Sequence, residues 1–80
     1  MIKVRVYEQE LFGTVHWRVI RDDGRLIFDR HQTDFPAQDE AIEAIRGEFR
    51  RKNLGEGKIV VQYLDRQTNG RRVFTNEWSV

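Results

Sequence analysis

Apolar and polar side chains alternate strictly along "IKVRVYE", with Ile2, Val4 and Val6 on one face and Lys3, Arg5 and Tyr7 on the other. A period of two marks a half-buried strand. "TVHWRVI" repeats it, with Val15, Trp17 and Val19 opposed by His16, Arg18 and Ile20. A third strand is expected over "RLIFDRH", with Leu26 and Phe28 toward the core, and Asp23-Gly24 before it supplies the positive-φ residues of a tight hairpin turn. After "QTDF" the spacing becomes helical: from Ala37 to Asn53, residues Ala41, Ile42, Ile45 and Phe49 fall within one stripe. Pro36 suits a first helical turn and Gly55 a C-cap. "GKIVVQYL" is the most apolar strand, and Asn69-Gly70 turns it into "RRVFTNEW".

The expected architecture is α+β: a single two-layer domain over residues 1–80, with a five-stranded antiparallel or mixed sheet and one helix on one face, in the sequence βββαββ. A helix crossing back over the sheet brings strand four parallel to strand one, giving the order 3-2-1-4-5. Trp17, Phe28, Ile45, Phe49 and Val61 are the expected core. A chain this short buries only about 60% of the surface its unfolded form exposes, so that core is small.

Cysteine is absent, which leaves packing rather than disulfides or thiolate-bound metal to hold the fold and suits a reducing cytoplasm. The amino terminus lacks the apolar run of about 7–15 residues found in a signal peptide. No stretch approaches the roughly 20 apolar residues of a membrane span. Fourteen Lys and Arg against thirteen Asp and Glu leave a net charge of +1, so the placement of charge decides more than its total.

Two placements stand out. On the helix, Asp39, Glu40 and Glu43 come first and Arg46, Arg50, Arg51 and Lys52 last, which complements the helix dipole. Glu43 with Arg46, and Glu48 with Arg51 and Lys52, are spaced to pair within the helix. The same basic end suits a phosphate or carboxylate contact, and Gly47 within it costs about 1 kcal/mol relative to Ala, which leaves the backbone open to a close partner.

On the open sheet face, Lys3, Arg5 and Arg18 form a basic platform of the kind strand-based DNA readers use. A two-residue turn at Asp23-Gly24 sets Arg18 opposite Asp29, Asp22 opposite Arg25, Ile20 opposite Ile27 and His16 opposite His31. Two opposite-charge pairs neutralise much of that platform. Ile20 and Ile27, near Tyr7, then make an apolar patch, and Leu11 and Phe12 either extend it or fold back onto the core. His16 and His31 offer only two nitrogens, short of a metal site. No nucleophile sits with a base and an orienting group, and there is no glycine-rich phosphate loop, so no catalytic, cofactor or metal residues are expected.

The run "WRVIRDDGR" followed by "TDFPAQDEAIEAI" resembles a set of small uncharacterised bacterial and phage proteins with a W-x-V, D/N-G-R, then T-x-x-E-A-I pattern and a closing hairpin. Trp17, Val19, Gly24, Arg25, Glu40, Ala41 and Ile42 carry that likeness across nearly the whole chain. Residues 15 to 45 are also similar to the three-strand-plus-helix DNA reader of plant ethylene-response factors and integrase amino-terminal arms. In type, the chain looks like phage accessory proteins, anti-CRISPR inhibitors among them.

A small rigid scaffold, charged faces of both signs and the lack of catalytic groups lead to the expectation of a non-enzymatic, cytoplasmic interaction protein, phage or mobile-element encoded, that covers a surface on a host protein or nucleoprotein complex, as a monomer or an edge-strand homodimer. The alternative is a nucleic-acid module using the outer sheet face and Arg71-Arg72. The partner-binding residues expected are Arg46, Gly47, Arg50 and Arg51 at the helix end, and Tyr7, Arg18, Ile20 and Ile27 on the sheet.

Overall fold

Strand β1 (Ile2–Leu11) and strand β2 (Thr14–Arg21) form an antiparallel hairpin in which Val6 faces Val19. The computed structural model describes residues 1–28, 33–65 and 71–80, with side chains for all of these except 65 and 71–77. Strand β3 is short (Asp34–Phe35), helix α1 spans Gln38–Lys52, and strands β4 (Gly57–Asp65) and β5 (Arg71–Ser79) follow. They build one mixed five-stranded sheet in the order β3-β2-β1-β4-β5, with β4 parallel to β1 and all other neighbours antiparallel. This is the βββαββ arrangement expected from the sequence.

The alternation places the core. Val4 and Val6 of β1, Val19 of β2 and Ile59 and Val61 of β4 turn toward the helix, which answers with Ala41, Ile42, Ile45 and Phe49. All nine side chains are buried. Each large apolar side chain removed from water contributes about 1.5–3 kcal/mol, the main favourable term for a domain without disulfides. Trp17 and Phe28 are only partly buried against this cluster, so they border the core they were expected to fill.

The third strand departs from expectation. Residues 25–28 are not a strand, and pairing with β2 comes instead from Trp17 opposite Phe35 and Arg18 opposite Asp34. The backbone after β2 closes on itself: Gly24 N–H donates to the Arg21 carbonyl at 3.1 Å, and Arg25 N–H donates to the Asp23 carboxylate at 3.0 Å. Asp23 titrates below its ordinary value chiefly because of that Arg25 N–H.

Three successive apolar residues, Leu26, Ile27 and Phe28, carry no clear period, and burial decided among them. Ile27 is 5% exposed and belongs to the core, whereas Leu26 is 54% exposed. Ile27 therefore adds no exposed apolar surface beside Ile20, although both line one depression of about 140 Å³. The Lys52 ammonium donates to the Ile27 carbonyl at 3.0 Å, tying this segment to the end of α1. Phe28 and Phe35 meet at 5.5 Å between ring centroids. Asp29 and His31, expected opposite Arg18 and His16, and the Asn69-Gly70 turn lie outside the described residues.

The helix starts at an Ala37 N-cap that offers no side-chain bond, so Pro36 precedes the helix rather than opening it. At the other end Asn53, not Gly55, takes the left-handed cap with φ 51°, and Leu54 N–H donates to the Phe49 carbonyl at 3.1 Å. Asn is among the few residues other than Gly that accept this conformation. Among the described residues no helix is long and apolar enough to cross a membrane.

Candidate functional site

Helical spacing sorts the basic residues at the end of α1 into two groups. Arg51 and Lys52 both reach Glu48, at 2.7 and 3.3 Å. The Arg51 guanidinium, with Lys52 adding to it against the opposing effect of burial, holds the Glu48 carboxyl below its ordinary pKa. On the opposite flank stand Arg46 and Arg50, one turn apart. Arg46 stacks on the Trp78 ring at 5.2 Å from its centroid and lies 3.5 Å from Glu43. Arg50 is exposed and forms no ion pair with the described residues.

Arg46 and Arg50 rim an open groove of about 560 Å³ that Phe49, Asn53, Gly55, Ser79 and Val80 complete. Phe49 and Val80 give it an apolar floor. The fold brings these residues together because β5 returns antiparallel to β4, with Val80 N–H donating to the Gly57 carbonyl at 3.2 Å beside the end of the helix. The Trp78 indole nitrogen is enclosed without an acceptor among the described residues.

Gly47 lies on the outer side of the helix, and a Cβ built there meets no atom within 4 Å. Internal packing therefore does not require a glycine. At Gly57 it does: the Phe49 ring lies directly where a Cβ would stand.

The open sheet face holds the second set. Arg5, Tyr7, Ile20 and Gln62 line a shallow depression of about 180 Å³, and Ile20 is 39% exposed. Arg5 pairs with Asp22 at 3.5 Å, not Asp22 with Arg25, and the register sets Arg18 beside Asp34. Lys3 neighbours Lys58 across β1 and β4, a juxtaposition of like charge. Tyr7, Arg18 and Ile20 thus share a face as expected, without Ile27. His16 faces Gln9 across the hairpin. Among the described residues no three His, Cys, Asp or Glu side chains are grouped to hold a metal.

A third feature is the tip of the first hairpin, where Leu11 and Phe12 were expected either to extend the apolar patch or to fold back onto the core. The turn between β1 and β2 is the two residues Phe12 and Gly13, with φ of 53° and 77°. Positive φ at both central residues is what a two-residue hairpin turn demands, and Asn or Gly usually supplies it. A left-handed Phe costs about 1–2 kcal/mol. Here its ring is wholly exposed and Leu11 beside it is 47% exposed, so neither folds back onto the core. The signal in the sequence is the string "LFG" between two alternating strands.

Compared with known proteins, the chain matches no family model, no curated protein and no solved structure. The fold and the site define a small mixed-sheet α+β domain with a cationic, apolar-floored groove at its helix end. The resemblance to small bacterial and phage proteins rests on its motif alone.

Proposed function

We infer that the protein is a non-enzymatic interaction module that docks on a larger protein or nucleoprotein complex through the end of α1. One observation carries this reading: Arg50 stands without an ion pair among the described residues at the rim of an apolar-floored groove, while its neighbours Arg51 and Lys52 both pair with Glu48. An exposed guanidinium beside an apolar depression is the usual composition of an interface anchor, since Arg is enriched at the contacts that dominate binding. Gly47 adds open backbone on the same element. The cytoplasmic setting and the phage accessory role, including inhibition of a host defence complex, are extensions of this reading that rest on absent cysteine, small size and analogy of type.

The test is affinity capture with the wild-type chain as bait, repeated with Arg50→Glu and Ile20→Asp. Loss of the captured partner with Arg50→Glu alone supports the helix end. Loss with Ile20→Asp alone moves the contact to the sheet.

A second reading, nucleic-acid binding through the open face, is favoured by Lys3 beside Lys58 and by Arg5, Arg18 and Tyr7 on the same side. It ranks second because Asp22 and Asp34 stand next to two of those cations.

A further inference from the structure

None of the side chains lining the helix-end groove is acidic, and those of Arg46 and Arg50 carry guanidinium groups. These two stand one turn apart on α1, a spacing that sets Cβ atoms about 5–6 Å apart on one flank. They differ in freedom. Arg46 is held by the Trp78 ring, 5.2 Å from its centroid, and by Glu43 at 3.5 Å, whereas Arg50 is exposed and has no ion pair among the described residues. Phe49 and Val80 supply the apolar surface, and exposed Asn53 a neutral amide.

A carboxylate has two oxygens, each able to accept from a different guanidinium, and charge-assisted bonds of this kind are stronger than neutral ones. One anionic group beside an apolar side chain therefore matches the groove, and a polyanion does not. Nucleic acid gains affinity from many phosphate contacts, whereas here two cations are offered, with Glu43 against one of them and the exposed Glu56 next to Gly55. A bilayer calls for a cluster of cations with apolar side chains that project into it, yet Phe49 is recessed and only 4% exposed. The groove, about 560 Å³, is on the scale of pockets that hold small ligands, about 300–1,000 Å³, and so takes a few side chains of one segment.

We propose that the groove receives a short acidic and apolar segment of a partner protein, with an Asp or Glu carboxylate bound by Arg46 and Arg50 and a neighbouring large apolar side chain laid over Phe49 and Val80. The proposal rests on reading the helix end as a docking surface and adds the chemistry of what docks there. Arg46, already positioned by Trp78 and Glu43, orients the carboxylate. Arg50 closes on it and gives up side-chain freedom in doing so, which keeps the contact of one such segment modest in affinity.

Selection of a displayed library of random octapeptides on the immobilised chain tests it. Enriched sequences are expected to set an acidic residue beside a large aliphatic or aromatic one. The selected peptides, synthesised and titrated, should bind Arg50→Glu and Asn53→Asp at least about tenfold more weakly than the wild type, and the same loss should follow when the peptide's acid is replaced by its amide. Both positions are exposed, and Asp accepts the left-handed backbone of residue 53, so melting temperatures close to that of the wild type accompany the loss. Lys3→Glu makes the same change of charge on the open sheet face and should leave peptide binding intact. A single-stranded thymidylate oligomer should not displace the peptides.

A selection that yields no common pattern, or peptides without an acidic residue, overturns the proposal. So do peptides as sensitive to Lys3→Glu as to Arg50→Glu, and displacement by the oligomer, which would assign the groove to phosphate. If no acidic peptide is selected while a captured larger partner still depends on Arg50, this inference alone fails. If reversal of Arg50 changes neither, the reading of the groove as a docking surface fails with it.

Discussion

Two glycines of one chain carry opposite expectations, and neighbouring atoms decide the sign. At Gly47 a methyl group meets only solvent, so Gly47→Ala removes backbone entropy from the unfolded chain and should stabilise the protein by about 1 kcal/mol. At Gly57 the same change collides with the buried Phe49 ring and should cost about 1–3 kcal/mol. Urea unfolding of both variants checks the pair, and equal shifts in the same direction would contradict it. Gly47 was legible as an anomaly from helix propensity alone. Gly57 was not, because its role exists only once α1 has laid Phe49 over the start of β4.

Phe12→Asn belongs to the same scale. It relieves a left-handed aromatic and should raise the melting temperature, since about 1 kcal/mol corresponds to roughly 4–8 °C in a domain of this size. A fall would mean that the ring stabilises the fold.

At the scale of elements, clean periods were legible and mixed ones were not. β1 and β2 alternate, β4 was legible as the most apolar run and buries Ile59, Val60 and Val61 in succession, and the α1 stripe has helical spacing and buries the face its pattern dictates. "RLIFDRH" offers three apolar residues in a row, and the face expected for it, Leu26 and Phe28 inward, is the wrong one for Leu26, which is 54% exposed while Ile27 is buried. Residues 25–28 instead leave the strand, with Ile27 buried and its carbonyl bonded by Lys52. Cap geometry was half legible, with Asn53 rather than Gly55 closing the helix.

The ion pairs within α1 carry a dependence on pH. Glu48 titrates below its ordinary value, mainly through the Arg51 guanidinium and then Lys52. A depressed carboxyl stabilises the fold fully above the unfolded-state pKa, about 4.3, and that contribution is lost as pH falls through the folded value. Glu48→Gln should therefore be less stable than the wild type at neutral pH, with the gap beginning to close below about pH 4.3. Chemical denaturation across the acid range measures it. A gap independent of pH would show that Glu48 acts through packing rather than charge.

For the whole molecule, topology was more legible than surface. The parallel pairing of β1 with β4 follows from one helix crossing back over the sheet, a constraint that needs no side-chain detail. Surfaces depend on which residues the fold assembles from distant parts of the chain. Arg46 and Arg50 were readable as a cluster, but their groove exists only because β5 returns Ser79 and Val80 beside the helix end. On the open face Ile27 is buried, Asp22 pairs with Arg5 rather than Arg25, and Asp34 stands beside Arg18.

Its remaining cations make a salt titration informative. Phosphate contacts release counterions and give a logarithmic slope of about −0.7 to −0.9 each. We expect no complex with single-stranded or duplex nucleic acid tighter than about 10 μM at physiological salt, weaker than specific modules reach. A submicromolar complex that weakens steeply with salt would put the open face first.

The central claim, that the end of α1 is the docking surface, is tested most directly by titrating the ¹⁵N-labelled chain with its captured partner and following each backbone amide. The account predicts that shifts and broadening concentrate at Arg46, Gly47, Phe49, Arg50, Asn53, Gly55, Ser79 and Val80. Changes confined to Arg5, Tyr7, Arg18, Ile20 and Gln62, with the helix end unmoved, would contradict it.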